Sequence, residues 1–317
     1  ERYDKRMYYW TQRFRSYYTA LAYGIAYREI RRVAEQHLPH QPFCSPNFQA
    51  MPTMLGQMWS GGLNLFEWGR TGTTNFFFHE DWINGPYRVA FGLRLLKGCG
   101  RRNSQDVGAL IVADRAIRPR LLMDLGNDAT ALLSYLYGPQ RIIGPAWAER
   151  REHHEAWGEV LSSVGALEED VMTAKLRPAD TALLVANTSE IHSSHRNTSF
   201  HRSELMERPD VFAGLMDEHV AVEMIGEREI VEDNILSRFK ALYVTDPHVR
   251  EDVQRAIRDW VRSGGVLWSS HAGLQCKEYD EPSTVFDDVF GLTDRGDVVE
   301  GQKTWEQEDG LDRKSVV

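Results

Sequence analysis

Three carboxylates, an arginine, a histidine and six aromatic rings fall within the stretch Leu63 to Trp82, LNLFEWGRTGTTNFFFHEDW. Carboxylates beside aromatic faces suit a sugar: rings take its C–H surface, and carboxylates take hydroxyls or act as acid and nucleophile. Leu63, Leu65 and Phe66, a Gly-rich turn, then Phe76 to Phe78 predict strand, loop and strand, the second strand ending in His79, Glu80 and Asp81. Barrel enzymes build their sites at such strand ends. The same stretch also fits an edge loop whose aromatics fill a core and whose charges meet water. Both readings stay open for Trp68 and Trp82 as sugar platforms. Arg70 suits a carboxylate or hydroxyls, or a pair with Glu67 that keeps Glu67 ionised and quiet.

The elements around this stretch alternate. Tyr8 to His37 reads as one long helix, with Tyr9, Phe14, Tyr17, Leu21, Ile25, Ile30 and Val33 near helical spacing and Pro39 and Pro42 beyond its end. Phe43 to Gln49 is a strand candidate that holds Cys44, and Met51 to Trp59 a short helix or turn. Tyr87 to Gly98 reads as an amphipathic helix, Val107 to Ala113 (VGALIVA) as a strand with Asp114 at its end, and Leu121 to Leu133 as helical. Ser134 to Pro139 (SYLYGP) is a further strand, and Trp147 to Val164 an amphipathic helix. Short apolar strands alternating with helices predict α/β architecture with parallel strands. About 170 residues are too few for a whole (β/α)8 barrel of about 250, and fit its second half.

Leu176 to Asp180 (LRPAD) reads as a linker, after which the alternation restarts. Strands are expected at Thr181 to Ala186, Val220 to Ile225, Ala241 to Thr245 and Val266 to Ser269. Helices are expected at Ser203 to Glu218, within Glu227 to Phe239, and from an Asp246 N-cap and Pro247 through Val249, Val253, Ile257, Trp260 and Val261 to Gly264. This is the pattern of a doubly wound, flavodoxin-like domain.

Composition excludes several classes. A net charge of -9 argues against nucleic acid or an anionic membrane as the main partner. Three cysteines, far apart and odd in number, predict neither a disulfide framework nor a zinc site. The three histidines of His192 to His201 (HSSHRNTSFH) read as a solvated loop, since no carboxylate or Cys joins them at ligand spacing. Cys276, in the polar QCKEYD, has no nucleophile elbow, so no amidotransferase activity is expected. No glycine-rich nucleotide loop is present. The chain opens on a charged run without Met, and its last residues, Asp312 to Val317 (DRKSVV), read as the translation of a sequencing-adapter string. A chain cut at both ends is therefore expected, with 294–317 as its tail.

The segments TALLVA, AVEMIGE, ILSRFKALYVTDP, REDVQRAIRDWVRSGGVLWSS and VFDDVFGL, in that order, resemble the trimerisation domain of family 42 glycoside hydrolases, the β-galactosidases. The similarity runs from about Thr181 to Leu292. It implies a class I glutamine-amidotransferase-like fold at 177–293, following the C-terminal half of a TIM barrel at 1–176. SYLYGP is similar to the family's eighth strand, where an aromatic borders the sugar, and VGALIVADR falls where the seventh would be.

In that family the acid/base is a Glu after strand four, which would precede Glu1, and the nucleophile is a Glu ending strand seven, where this chain has Asp114. Asp is one methylene shorter, and a retaining pair needs its carboxyl groups about 5–5.5 Å apart. The resemblance implies retaining hydrolysis of a terminal β-galactoside or related glycoside, with Asp114, Glu80 and Asp81 as catalytic candidates. Glu67, Arg70, Trp82 and Tyr137 are the sugar-contact candidates. It implies a homotrimer and no metal or organic cofactor, and the fragment alone is expected to be inactive. The alternative is a carbohydrate-binding or assembly protein with a degenerate barrel.

Overall fold

The computed structural model describes residues 4–45, 64–81, 86–112, 117–135, 151–196 and 199–293. Residues Glu1–Phe286 form one compact unit that contains two parallel sheets. A second unit, Asp287–Val317, contributes one described helical turn, Asp287–Phe290. Among the described residues no helix is long and apolar enough to cross a membrane.

The first sheet has strands β1 (Phe76–Asp81), β2 (Asp106–Val112) and β3 (Ala131–Tyr135), all parallel and side by side in chain order. Consecutive order with a helix after each strand is the layout of a barrel wall. The connecting helices are α3 (Pro86–Gly100) and α4 (Ile117–Gly126), preceded by α1 (Lys5–His37) and α2 (Leu65–Thr71). Phe77, Val107, Ala109 and Ile111 are wholly buried in one cluster with Val89, Leu93 and Leu96 of α3. The opposite face is more open: Phe78 and Leu110 are half-buried and Leu133 is exposed.

After α5 (Arg151–Gly165) and α6 (Glu168–Thr173), the second sheet has strands β4 (Thr181–Val185), β5 (Val222–Gly226), β6 (Ala241–Val244) and β7 (Val266–Ser269). Their order across the sheet is β5-β4-β6-β7, all parallel, which is the doubly wound order that reverses beside the first strand. β4 is buried along its whole length, as a central parallel strand should be. Helices α7 (Asn187–Arg196), α8 (Ser199–Asp217), α9 (Glu227–Glu232) and α10 (Glu251–Arg262) connect these strands.

Several expectations are corrected. Leu65–Thr71 is helical, not a strand: Asn64 accepts the Glu67 N–H at 3.2 Å as its N-cap, and Gly72 closes the helix at φ 63°. Leu132 and Leu133 belong to β3, not to a helix, because Asn127 and Asp128 (φ 68°) end α4 and Thr130 N–H already bonds the Val107 carbonyl at 2.8 Å. Cys44 is half-buried and in no strand; its N–H donates to Asn75. The polar segment from Asn187 is a helix, and His192 on it is buried. Helix α10 begins at Glu251, because main-chain bonds between 247–249 and Cys276 hold that segment extended. Met51 to Trp59 lies outside the described residues.

Helix α1 has the expected span but turns the unexpected face inward. Of the expected stripe only Tyr9 is buried; Ser16, Ala20, Gly24 and Ala34 are the other buried positions, and Thr73 donates to the Ala20 carbonyl at 2.9 Å. Phe14 and Ile25 are each 65% exposed, and Tyr17, Ile30 and Val33 are also outward. Small side chains let the backbones approach closely, and that contact wins over the larger stripe.

Candidate active site

Glu80 stands at the C-terminal end of β1, paired in register with Leu110 of β2, which in turn pairs with Leu133 of β3. It shares the open face of the sheet with Phe76 and Phe78, and Gly108 leaves room on that face for the Phe76 ring. Phe43 lies against Phe76 with centroids 4.7 Å apart. Glu80 itself is 6% exposed, so it is shielded from bulk water. A buried carboxyl on an apolar face at a strand end has the chemistry needed of a general acid, a nucleophile or a hydroxyl acceptor.

The three strands end level with one another: Asp81 pairs with Ile111, Ile111 with Ser134, and Val112 with Tyr135. Asp81 is the last residue of β1, and its side chain lies outside the described residues, as do Trp82, Asp114 and Tyr137. In sequence these three follow β1, β2 and β3 by one or two residues. The neighbour of Glu80 in sequence, His79, serves the other face. It is completely buried against Gly92 of α3, and desolvation, then Arg120, pushes its pKa down to about 4.

Glu67 and Arg70 do not join Glu80. Both lie on α2, which leads into the N-terminal end of β1, and Gly69 between them packs on the Cys99 carbonyl at the foot of α3. Glu67 accepts two hydrogen bonds from Arg228 of α9, at 2.7 and 2.9 Å. Arg70 pairs with Asp233 and Glu232, each at 2.6 Å, and not with Glu67. These ion pairs tie α2 to α9. Trp68 is a core residue, 1% exposed, with Tyr23 at 5.0 Å.

In the doubly wound sheet the crevice at the reversal of strand order, the usual ligand position of such folds, is filled by protein. Arg208 of α8 donates through Nε to both Asp246 oxygens at 3.1 and 3.2 Å, and through its terminal nitrogens to Glu190 and the Ala186 carbonyl at 3.1 and 3.2 Å. Asp246 also accepts the Ala186 N–H. Asp246 is therefore a buried partner of Arg208 and not a helix cap. Beside it, Glu227 accepts from the Thr188 N–H, the Thr188 hydroxyl and the Arg250 N–H at 3.0, 2.8 and 3.0 Å. Sequence reasoning missed this network; its one signal was an acid directly after an apolar strand, in ALYVTD. In a neighbouring cleft lined by Arg13, Phe66, Arg70, Arg228 and Arg250, three of the arginines, Arg70, Arg228 and Arg250, each pair with a carboxylate.

No protein-family model matches the chain, and no curated protein matches it in sequence. Solved structures do match in fold. The exo-carrageenase of glycoside hydrolase family 42 from Bacteroides ovatus superposes with a TM-score of 0.61 over 88% of this chain at 11% identity. Gan42B, a family 42 β-galactosidase from G. stearothermophilus, matches with a TM-score of 0.57 over 81% at 15% identity. The β-galactosidase from Bacillus circulans sp. alkalophilus matches with a TM-score of 0.56 over 72% at 14% identity. The chain spans 41%, 40% and 37% of those three structures, respectively. The α/β fold with parallel sheets is thus shared with part of the family 42 glycoside hydrolase structures. At these identities the likeness is one of fold.

Proposed function

We propose that this chain is part of a glycoside hydrolase acting on terminal β-galactosides or related glycosides by retaining, two-carboxylate chemistry. The observation that carries the reading is Glu80, held at the C-terminal end of a parallel strand on the open face of a sheet whose fold matches family 42 structures over most of this chain. Asp114, after β2, takes the nucleophile position; Glu80 and Asp81 serve catalysis or hold hydroxyls, and Trp82 and Tyr137 border the sugar. In the same reading the doubly wound sheet is an amidotransferase-like trimerisation domain. Its filled crevice at Arg208 and Asp246 agrees with an assembly role rather than a second ligand site.

The test is a full-length protein assayed on a panel of nitrophenyl glycosides, with Asp114→Asn, Glu80→Gln and Asp81→Asn alongside. Asp114→Asn is expected to lower kcat by about 1,000-fold or more, since a positioned acid or base alone contributes about 100- to 10,000-fold. Absence of turnover on every glycoside, with sugar binding retained, overturns the hydrolase reading and favours a binding protein with a degenerate barrel.

A further inference from the structure

Three side chains from two segments of the sequence meet on one main-chain frame beside α7. His248 stands between β6 and α10, and Cys276 and Asp280 lie on the segment after β7. His248 Nε2 and Asp280 Oδ1 are 2.7 Å apart, and one donor atom from each of the three residues lies within 4.8 Å of the other two. The frame is hydrogen-bonded backbone. Val249 N–H donates to the Cys276 carbonyl at 3.1 Å, Cys276 N–H to the Pro247 carbonyl at 2.8 Å, and Lys277 N–H to the Glu281 carbonyl at 2.8 Å. Asp280 sits at the turn of this small hairpin with φ 58°. His248 is buried, with its ring stacked on His192 at 4.4 Å; the Nε2 of His192 is engaged with the Glu278 carbonyl, so His192 is a wall of the site.

We propose that His248, Cys276 and Asp280 bind a zinc-like divalent transition metal that clamps the 276–282 hairpin to the β6–α10 connection. An imidazole, a thiolate and a carboxylate are a donor set for Zn²⁺ or Co²⁺, whereas Mg²⁺ and Ca²⁺ take oxygen ligands. Three protein ligands leave a fourth position for water. Tetrahedral zinc, with bonds of about 2.0–2.3 Å, sets its ligand atoms roughly 3.3–3.6 Å apart. The His248–Asp280 pair therefore opens by about 0.6 Å and the Cys276 sulfur closes in by at most about 1.5 Å, within reach of a side-chain rotation. The ion replaces the hydrogen between Nε2 and Oδ1, and the Cys276 thiol proton is released to solvent. Lys5 sits on the other carboxylate oxygen of Asp280, at 2.7 Å. It repels the metal's charge, so it weakens binding.

The experiment is Co²⁺ titration of the full chain, followed by absorbance, with Zn²⁺ competition. A thiolate-to-cobalt charge-transfer band saturating at one equivalent is expected. Cys276→Ala should abolish the band and weaken binding by about 100-fold or more, beyond the loss typical of an outer-shell change. Cys44→Ala should leave the band intact, and Lys5→Met should tighten binding. Asp280→Asn, which preserves shape, serves as the second ligand variant and should also weaken binding. Zn²⁺ should raise the Tm of the unmodified chain and not that of Cys276→Ala. Absence of the band, its survival in Cys276→Ala, or weaker binding in Lys5→Met overturns the proposal.

Discussion

Acidification should cost this protein stability at His79, and the size of that contribution follows from its surroundings. The imidazole is completely buried on the α3 side of β1, and neither ring nitrogen has a hydrogen-bond partner among the described residues. Desolvation, with Arg120 adding to it, lowers its pKa from 6.5 to about 4. The folded state therefore refuses a proton that the unfolded chain accepts, so stability is full above pH 6.5 and falls as pH drops toward 4. Each pH unit between the folded and unfolded pKa values is worth about 1.4 kcal/mol, so the full loss is about 3 kcal/mol. About 2 kcal/mol of it accrues between roughly pH 7.5 and 5.

Other groups move the opposite way. Glu190, Glu227 and Glu229 have pKa values raised by burial, so each gains stability on acidification. The raw slope sums every group whose pKa differs between the two states, and only a difference isolates the histidine. Urea denaturation of the unmodified chain and of His79→Leu at both pH values supplies it. The leucine variant should lose about 2 kcal/mol less between those pH values. It should also be at least as stable at pH 7.5, since a buried polar group without a partner costs about 1–3 kcal/mol. Equal pH slopes in the two proteins would refute the assignment, whatever their absolute stabilities.

Arg208→Met should cost about 3–5 kcal/mol in urea denaturation, because it strands Asp246 as a buried charge beside Glu190. Gly69→Ala should lower stability by about 2 kcal/mol or more, since its new methyl overlaps the Cys99 carbonyl and main chain cannot yield as a side chain does. Gly214→Ala, in α8 with nothing within 4 Å of the new Cβ, should instead raise stability by about 0.5–1 kcal/mol, which makes the pair a control on the packing argument.

Local periodicity exposed the strands well where apolar runs were short and bounded. VGALIVA became β2 to within one residue, and VLWS is β7 as expected. It failed where a partner outside the local window decides the outcome. LNLF has the apolar density of a strand, but an Asn cap and the close fit of Gly69 on α3 make it a helix, and that moves Glu67 and Arg70 to the end of the sheet away from Glu80. Asp246-Pro247 has the composition of a helix start, yet Arg208, 38 positions away, takes the carboxylate. Charge complementarity at such separation leaves no periodic trace in the chain. The Glu80 position was legible because it depends only on one strand and its end.

Helix α3 shows why two alternating βα regions share one compact unit. Its sequence, PYRVAFGLRLLKGCG, reads as amphipathic, with one face for one sheet. In the structure Val89 through Leu93, Leu95, Leu96 and Gly98 through Gly100 are all buried. A helix buried all round must have partners on both sides. One side meets Phe77, Val107 and Ile111 of the first sheet; on the other, Phe91 stacks edge-on with Phe212 of α8 at 5.6 Å, and Gly98 lies against the Met224 main chain of β5. The glycines then acquire a reason: Gly92 admits His79 from one sheet, and Gly98 admits β5 from the other. With ion pairs joining α2 to α9 alongside, α3 is the element packed both on β5 and on β1, the strand that carries Glu80.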